Sequence, residues 1–196
     1  MGILSNVNIE EWFPIWETSR AAAVTSYFLL FVSISTGLVL SLKILNGKLY
    51  VMFTLIHQWS AWFGFLFALF HGMVLYFDSY SPFTWREIFI PFYRKQTLLW
   101  TTLGILSLYG MAILLISSDI FKYLGKKIWR IIHIFSFPTY LFALFHSLFI
   151  GTDARTFFFI FFYGATGGIV LFLLTLRFFT IFYQRGVNDA HSVGRR

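Results

Sequence analysis

Residues 51–77 read VMFTLIHQWSAWFGFLFALFHGMVLYF, a run with no Asp, Glu, Lys or Arg. A helix needs about 20 apolar residues to cross the hydrocarbon core of a bilayer, so this stretch predicts a membrane span. Its two histidines are His57 and His71, 14 residues apart. An imidazole inside a span is costly and by default has a function. At ~1.5 Å rise per residue the two rings lie ~20 Å apart along the helix, one toward each membrane face.

Four more runs are long and apolar enough to span: Ala21–Leu42, Leu98–Ile116, Ile128–Ile150 and Phe157–Phe182. The fold class expected is an all-α integral membrane bundle of about five helices. Composition agrees, with 58% hydrophobic, 22% aromatic and 12% charged residues over 196 positions. A soluble domain carries about twice that charged share. There is no cysteine, which excludes disulfides, thiolate zinc sites and cysteine-ligated iron–sulfur clusters. The first 20 residues include Glu10, Glu11 and Glu17 and lack the basic start and apolar centre of a cleavable signal peptide. Between the second and third spans, Asp78–Thr97 holds Pro82, Pro91 and an amphipathic stretch, Trp85–Tyr93. That loop is expected to lie on the membrane surface.

The net charge of +7 does not point to nucleic acid, because the basic residues gather at the ends of the apolar runs. Lys43, Lys48, Lys122, Lys126, Lys127, Arg130, Arg177, Arg185, Arg195 and Arg196 fall on one side of a five-span topology. Arg20, Arg86, Arg94, Lys95 and Arg155 fall on the other. The excess of basic residues marks the cytoplasmic side. The expectation is a multi-pass protein of the cell membrane with its N-terminus outside and its C-terminus in the cytoplasm. Residues 1–20 form an extracytoplasmic segment, 21–182 the membrane domain and 183–196 a cytoplasmic tail.

The fourth run carries His133 and His146, 13 residues apart. In this topology the second and fourth spans are parallel, and their histidines match in depth pair by pair. His57 with His133 would bind one metal centre on the inner side, and His71 with His146 another on the outer side. Two neutral imidazoles are a good axial pair for haem iron and leave no open position for oxygen. Two b-type haems, each passing one electron at a time, are therefore expected. Helical phase supports only half of this. Fourteen residues return to within about 40° of the starting direction, whereas 13 land about 140° away. Pro138 lies between His133 and His146 and is expected to kink or rewind that helix. Gly64, midway between His57 and His71, would let the backbone approach a flat macrocycle. Trp62, Phe63, Phe67, Phe137 and Phe142 are candidates to fill space around it, although most Phe in so apolar a chain is packing or lipid-facing. Isolated histidines bonded across helices, or lining a proton path, are the alternative reading. Four at matched depths fit it poorly. His191 lies in the polar tail and is assigned no role.

These residues resemble the ferric reductase-like transmembrane domain, the membrane core of ferric reductases and NADPH oxidases. The resemblance covers about residues 18–156. It rests on the paired histidines and on Ser19-Arg20-Ala21, His71-Gly72 with Asp78 beyond, Trp129-Arg130 and Gly151-Thr152-Asp153. In that family one helix carries two histidines about 14 apart and the next but one carries a second pair at similar spacing. The wider family includes the haem-binding membrane subunit of a bacterial periplasmic methionine sulfoxide reductase system. Two features depart from the family pattern. Many members have six spans, and five are read here. Ferric reductases and NADPH oxidases also carry a flavin and nicotinamide domain after the last span, whereas only a short tail follows Phe182 and no Gly-rich dinucleotide fingerprint follows a strand.

The function implied is transmembrane electron transfer, from a separate cytoplasmic flavoprotein carrying FAD or FMN, or from a quinol, to an extracytoplasmic acceptor such as ferric iron. Lys126, Lys127 and Arg130 could serve the propionates of the inner haem, and Arg20, Arg94 and Arg155 those of the outer one. Equally, each could be a cation snorkelling at the membrane edge. The loop with Arg86, Arg94 and Lys95 could cover the outer haem and attract an anionic ferric chelate. The alternatives are a haem subunit feeding a separate extracytoplasmic reductase, a quinol-oxidising cytochrome b, and a small transporter or channel using the histidines for protons or metal ions.

Overall fold

The computed structural model describes residues 14–78 and 82–193, without the side chains of residue 152 and of 184–193. Glu10, Glu11, Arg195 and Arg196 lie outside the described residues, as do the side chains of Arg185 and His191. Seven helices follow one another: α1 Ile15–Ser41, α2 Gly47–Val74, α3 Trp85–Phe89, α4 Leu98–Asp119, α5 Phe121–Ile134, α6 Ser136–Ile150 and α7 Phe157–Val193. One 3-10 turn, Leu75–Phe77, extends α2, and another, Thr152–Arg155, joins α6 to α7. No strand occurs among the described residues. Five stretches are long and apolar enough to cross a membrane: Ile15–Ser41, Gly47–Phe77, Leu98–Asp119, Phe121–Ile150 and Phe157–Tyr183. The protein is a multi-pass membrane protein.

The boundaries differ from the apolar runs where polar residues find partners. The first helix begins at Ile15 rather than Ala21 because Ser19 and Arg20, in its opening turns, are both hydrogen-bonded. The fourth span begins at Phe121 and is divided. Gly125, at φ 74°, breaks its first turns in a backbone region open to glycine. A second break falls at Phe135, between α5 and α6. Pro138 has no N–H to offer the carbonyl four residues back, Ile134, and its ring crowds that carbonyl. Ile134 is where α5 ends.

Within the amphipathic stretch Trp85–Tyr93 only Trp85–Phe89 is helical. Thr84 and Glu87 form a capping box at its start. It stops at Phe89, and Ile90 is extended because Pro91 follows. The rest of the loop folds back onto α4: the Phe92 N–H donates to Thr102 Oγ1 at 2.9 Å and the Tyr109 hydroxyl to the Phe89 carbonyl at 2.6 Å. Ile88 is buried beside Gly72.

α1 packs along α2, α4 packs along α6, and α7 lies against α1 and α6. The α1–α2 contact is a ladder of small residues. Ser19, Ser26 and Ser33, seven apart and all buried, face His71, Gly64 and His57, also seven apart. The middle rung is a bond from Ser26 Oγ to the Gly64 carbonyl at 2.8 Å. Small residues let membrane helices approach closely, and their hydroxyls bond across the contact. Deeper in the bundle the Tyr27 hydroxyl bonds to Tyr140 at 2.9 Å and to Thr166 at 2.7 Å, joining α1, α6 and α7. α2, which carries His57 and His71, is packed along neither α5, which carries His133, nor α6, which carries His146.

Candidate functional site

The four spanning histidines meet in two pairs. The ring centres of His57 and His133 are 6.1 Å apart and those of His71 and His146 are 6.4 Å apart, with the planes at 68° and 69°. α2 and the fourth span, made of α5 and α6, therefore run parallel. The 13-residue interval reaches the same face as the 14-residue one because the helix breaks at Phe135.

Three of the rings are held from behind by main-chain carbonyls. His57 Nδ1 donates to the Ser33 carbonyl at 2.8 Å, His71 Nδ1 to Ser19 at 3.0 Å and His146 Nδ1 to Trp100 at 2.8 Å. A carbonyl only accepts, so each Nδ1 carries the proton and each Nε2 keeps its lone pair. A metal-ligating histidine typically carries this tautomer, with its other ring N–H donated to a carbonyl or carboxylate that orients the ring. His133 differs: its Nδ1 is buried and has no hydrogen-bond partner.

Two glycines that the sequence reading did not single out make room for the rings. A Cβ on Gly104 would stand 2.6 Å from His146 Cε1 and Nδ1, and one on Gly37 would stand 3.0 Å from His57 Cε1. Each glycine lies one helical turn after the carbonyl that its histidine bonds. Gly64 faces α1 and α4, where a Cβ would touch Leu29, Leu30 and Met111 at 3.4 Å. Of the aromatic candidates, Phe137 packs against the core cluster. Trp62, Phe63 and Phe67 on α2 are exposed, and Phe142 is half-buried.

The donor set suits haem. Two metal–nitrogen bonds of about 2.0 Å, plus about 1.1 Å from each nitrogen to its ring centre, place two axial imidazoles about 6.2 Å apart. Both pairs match that span. No cluster of three or more His, Cys, Asp or Glu that could hold a bare ion occurs among the described residues. Two axial nitrogens suffice where a macrocycle supplies four more.

The basic candidates are engaged differently. Arg20 is bound to Asp153 through Nε at 2.8 Å and through Nη2, tying the start of α1 to the turn after α6. Arg94 pairs with Glu87 at 3.4 Å and lies 3.7 Å over the Phe83 ring. Arg86, Lys95, Lys126, Lys127, Arg130 and Arg155 are exposed. One cavity is lined by His71, Gly72, Gly104 and His146 together with Phe83, Glu87 and Ile88 of the loop. The hydrogen bond from the Thr84 main chain holds the Glu87 carboxyl below its ordinary range, and Arg94 adds to this.

Fold and site define a membrane protein built around two histidine pairs at matched depths. The model of the ferric reductase like transmembrane component matches residues 20–144, more than half of the chain, and the chain belongs to that family. His57, His71 and His133 lie inside the match, and His146 lies two residues beyond it. No curated protein and no solved structure gives a significant match.

Proposed function

We propose that this chain carries electrons across a membrane through two b-type haems, one held by His57 and His133 and the other by His71 and His146. The observation that carries the reading is the ring separation in both pairs, 6.1 and 6.4 Å, close to the span of about 6.2 Å that two imidazoles on one iron would have. The haem supplies a reversible one-electron couple; the protein supplies ligation, orientation and a low-dielectric surround. Ser19, Ser33 and Trp100 fix the tautomer of three ligands through their carbonyls, and Gly37 and Gly104 make room for two of those rings, His57 and His146. The basic residues of Lys122–Arg130 support a cytoplasmic position for the His57–His133 end. Electrons then enter from a flavoprotein carrying FAD or FMN, or from a quinol, and leave on the side of His71 and His146. The loop with Arg86 and Lys95 lies on that side and would meet an anionic acceptor such as a ferric chelate.

Proteoliposomes test this. Ferricyanide is trapped inside and dithionite added outside. Haem-loaded protein is expected to bleach the ferricyanide faster than protein-free vesicles do, and the His57→Ala/His71→Ala variant is expected not to. Equal bleaching in all three would overturn the reading.

A further inference from the structure

α4 repeats on α6 the ladder that α1 makes on α2, but with a rung missing. Trp100 accepts from His146, and seven residues on Ser107 Oγ donates to the Thr139 carbonyl at 3.0 Å. The third rung falls at Leu114, seven residues further. That carbonyl accepts instead from the hydroxyls of Ser117 at 3.0 Å and Ser118 at 2.8 Å. His133 also lies on the far side of the break at Phe135 from His146 and Thr139, so it does not continue their register on α4. The outcome is the buried, unbonded Nδ1 of His133.

Another group lies against this ring. Trp129 stacks on His133 with centres 4.6 Å apart and planes at 24°. Its indole N–H donates to Ser118 Oγ at 3.2 Å, and that hydroxyl donates to Leu114. The stack stands on the same carbonyl that would have formed the missing rung.

We infer that Trp129, fixed by Ser118, is the positioning residue for His133, setting the plane of the ring by stacking where a carbonyl sets the other three. The inference rests on the haem reading of the four histidines. It makes the two haems unequal. One depends on an indole and has a ligand without the hydrogen bond that raises imidazole basicity. The other depends on main-chain carbonyls at both ligands.

Electron paramagnetic resonance and redox titration of the haem-loaded protein test this, because the low-spin ferric signal reports the angle between axial imidazole planes. The signal that His133→Ala removes identifies the haem in question. Trp129→Ala is expected to move or broaden that signal and shift its midpoint potential, with the second haem unchanged. Trp129→Phe keeps a ring and restores most of the parent signal. Ser118→Ala, which leaves the indole in place without its anchor, gives a smaller change of the same kind and decides the matter alone where Trp129→Ala does not fold. Two unchanged signals, or equal changes in both, overturn the inference. A parent protein that takes up no haem overturns instead the ligand reading beneath it.

Discussion

Gly104→Ala places one methyl group where the structure has no room for it. Its Cβ would sit 2.6 Å from two atoms of the His146 ring, about 0.8 Å inside the 3.4 Å at which ordinary contact begins. Either the ring swings away or α4 and α6 part. Both stretch the 2.8 Å bond from His146 Nδ1 to the Trp100 carbonyl. Overpacking of this kind costs about 1–3 kcal/mol, and loss of an orienting bond lowers metal affinity by about 10–100-fold. Gly37→Ala is the graded control, since its Cβ meets His57 at 3.0 Å and needs a smaller shift. Gly168→Ala meets nothing within 4 Å and is expected to be neutral or stabilising by up to about 1 kcal/mol. Haem per chain is measured by pyridine haemochrome after titration with haem. The expected order of loss is Gly104→Ala, then Gly37→Ala, then Gly168→Ala at the parent level. Full haem loading of Gly104→Ala with an unshifted spectrum would refute the idea that close backbone approach holds the ligand.

Pro138→Ala restores the N–H that Ile134 lacks as a partner. A continuous helix would turn His133 and His146 about 140° apart, so at least one haem per chain should be lost. Tyr27→Phe removes the bonds to Tyr140 and Thr166; thermal unfolding in detergent should show a loss of about 1–2 kcal/mol, with haem content kept. The carboxyl of Glu87 is held low in the folded loop. Its contribution is therefore complete above the unfolded pKa of about 4.3 and lost as pH falls through the lower folded value. Hydrogen exchange or proteolysis of the loop should rise only in that acid range, and Glu87→Gln should abolish the transition. Arg20→Ala breaks a partly exposed ion pair with Asp153 and should cost no more than about 1 kcal/mol; a full loss of the outer haem instead would show that Arg20 serves that cofactor.

Much of this architecture is legible in the sequence because bilayer length is a hard constraint. Five apolar runs of the right length gave the five spans, and the 14-residue interval of His57 and His71 places both on one helix face. The 13-residue interval was legible only through Pro138, since its effect falls three residues upstream at Phe135, where the helix opens. The heptad of serines at 19, 26 and 33 is visible in the sequence, but nothing local says that it faces 71, 64 and 57. Gly37 and Gly104 were missed for the same reason: their importance lies in a ring supplied by another helix. The Nδ1 partners are main-chain carbonyls, which every residue possesses, so no residue type announces them. The amphipathic pattern through Tyr93 outran the helix because Pro91 overrode it at Ile90.

The most direct measurement is a dithionite-reduced-minus-oxidised optical spectrum of the purified protein, with haem quantified per chain. The account predicts a sharp b-type alpha band and two haems per chain, falling to one in His71→Ala and to one in His133→Ala. Protein that stays colourless after reconstitution with haem, or that keeps two haems in both variants, would contradict it.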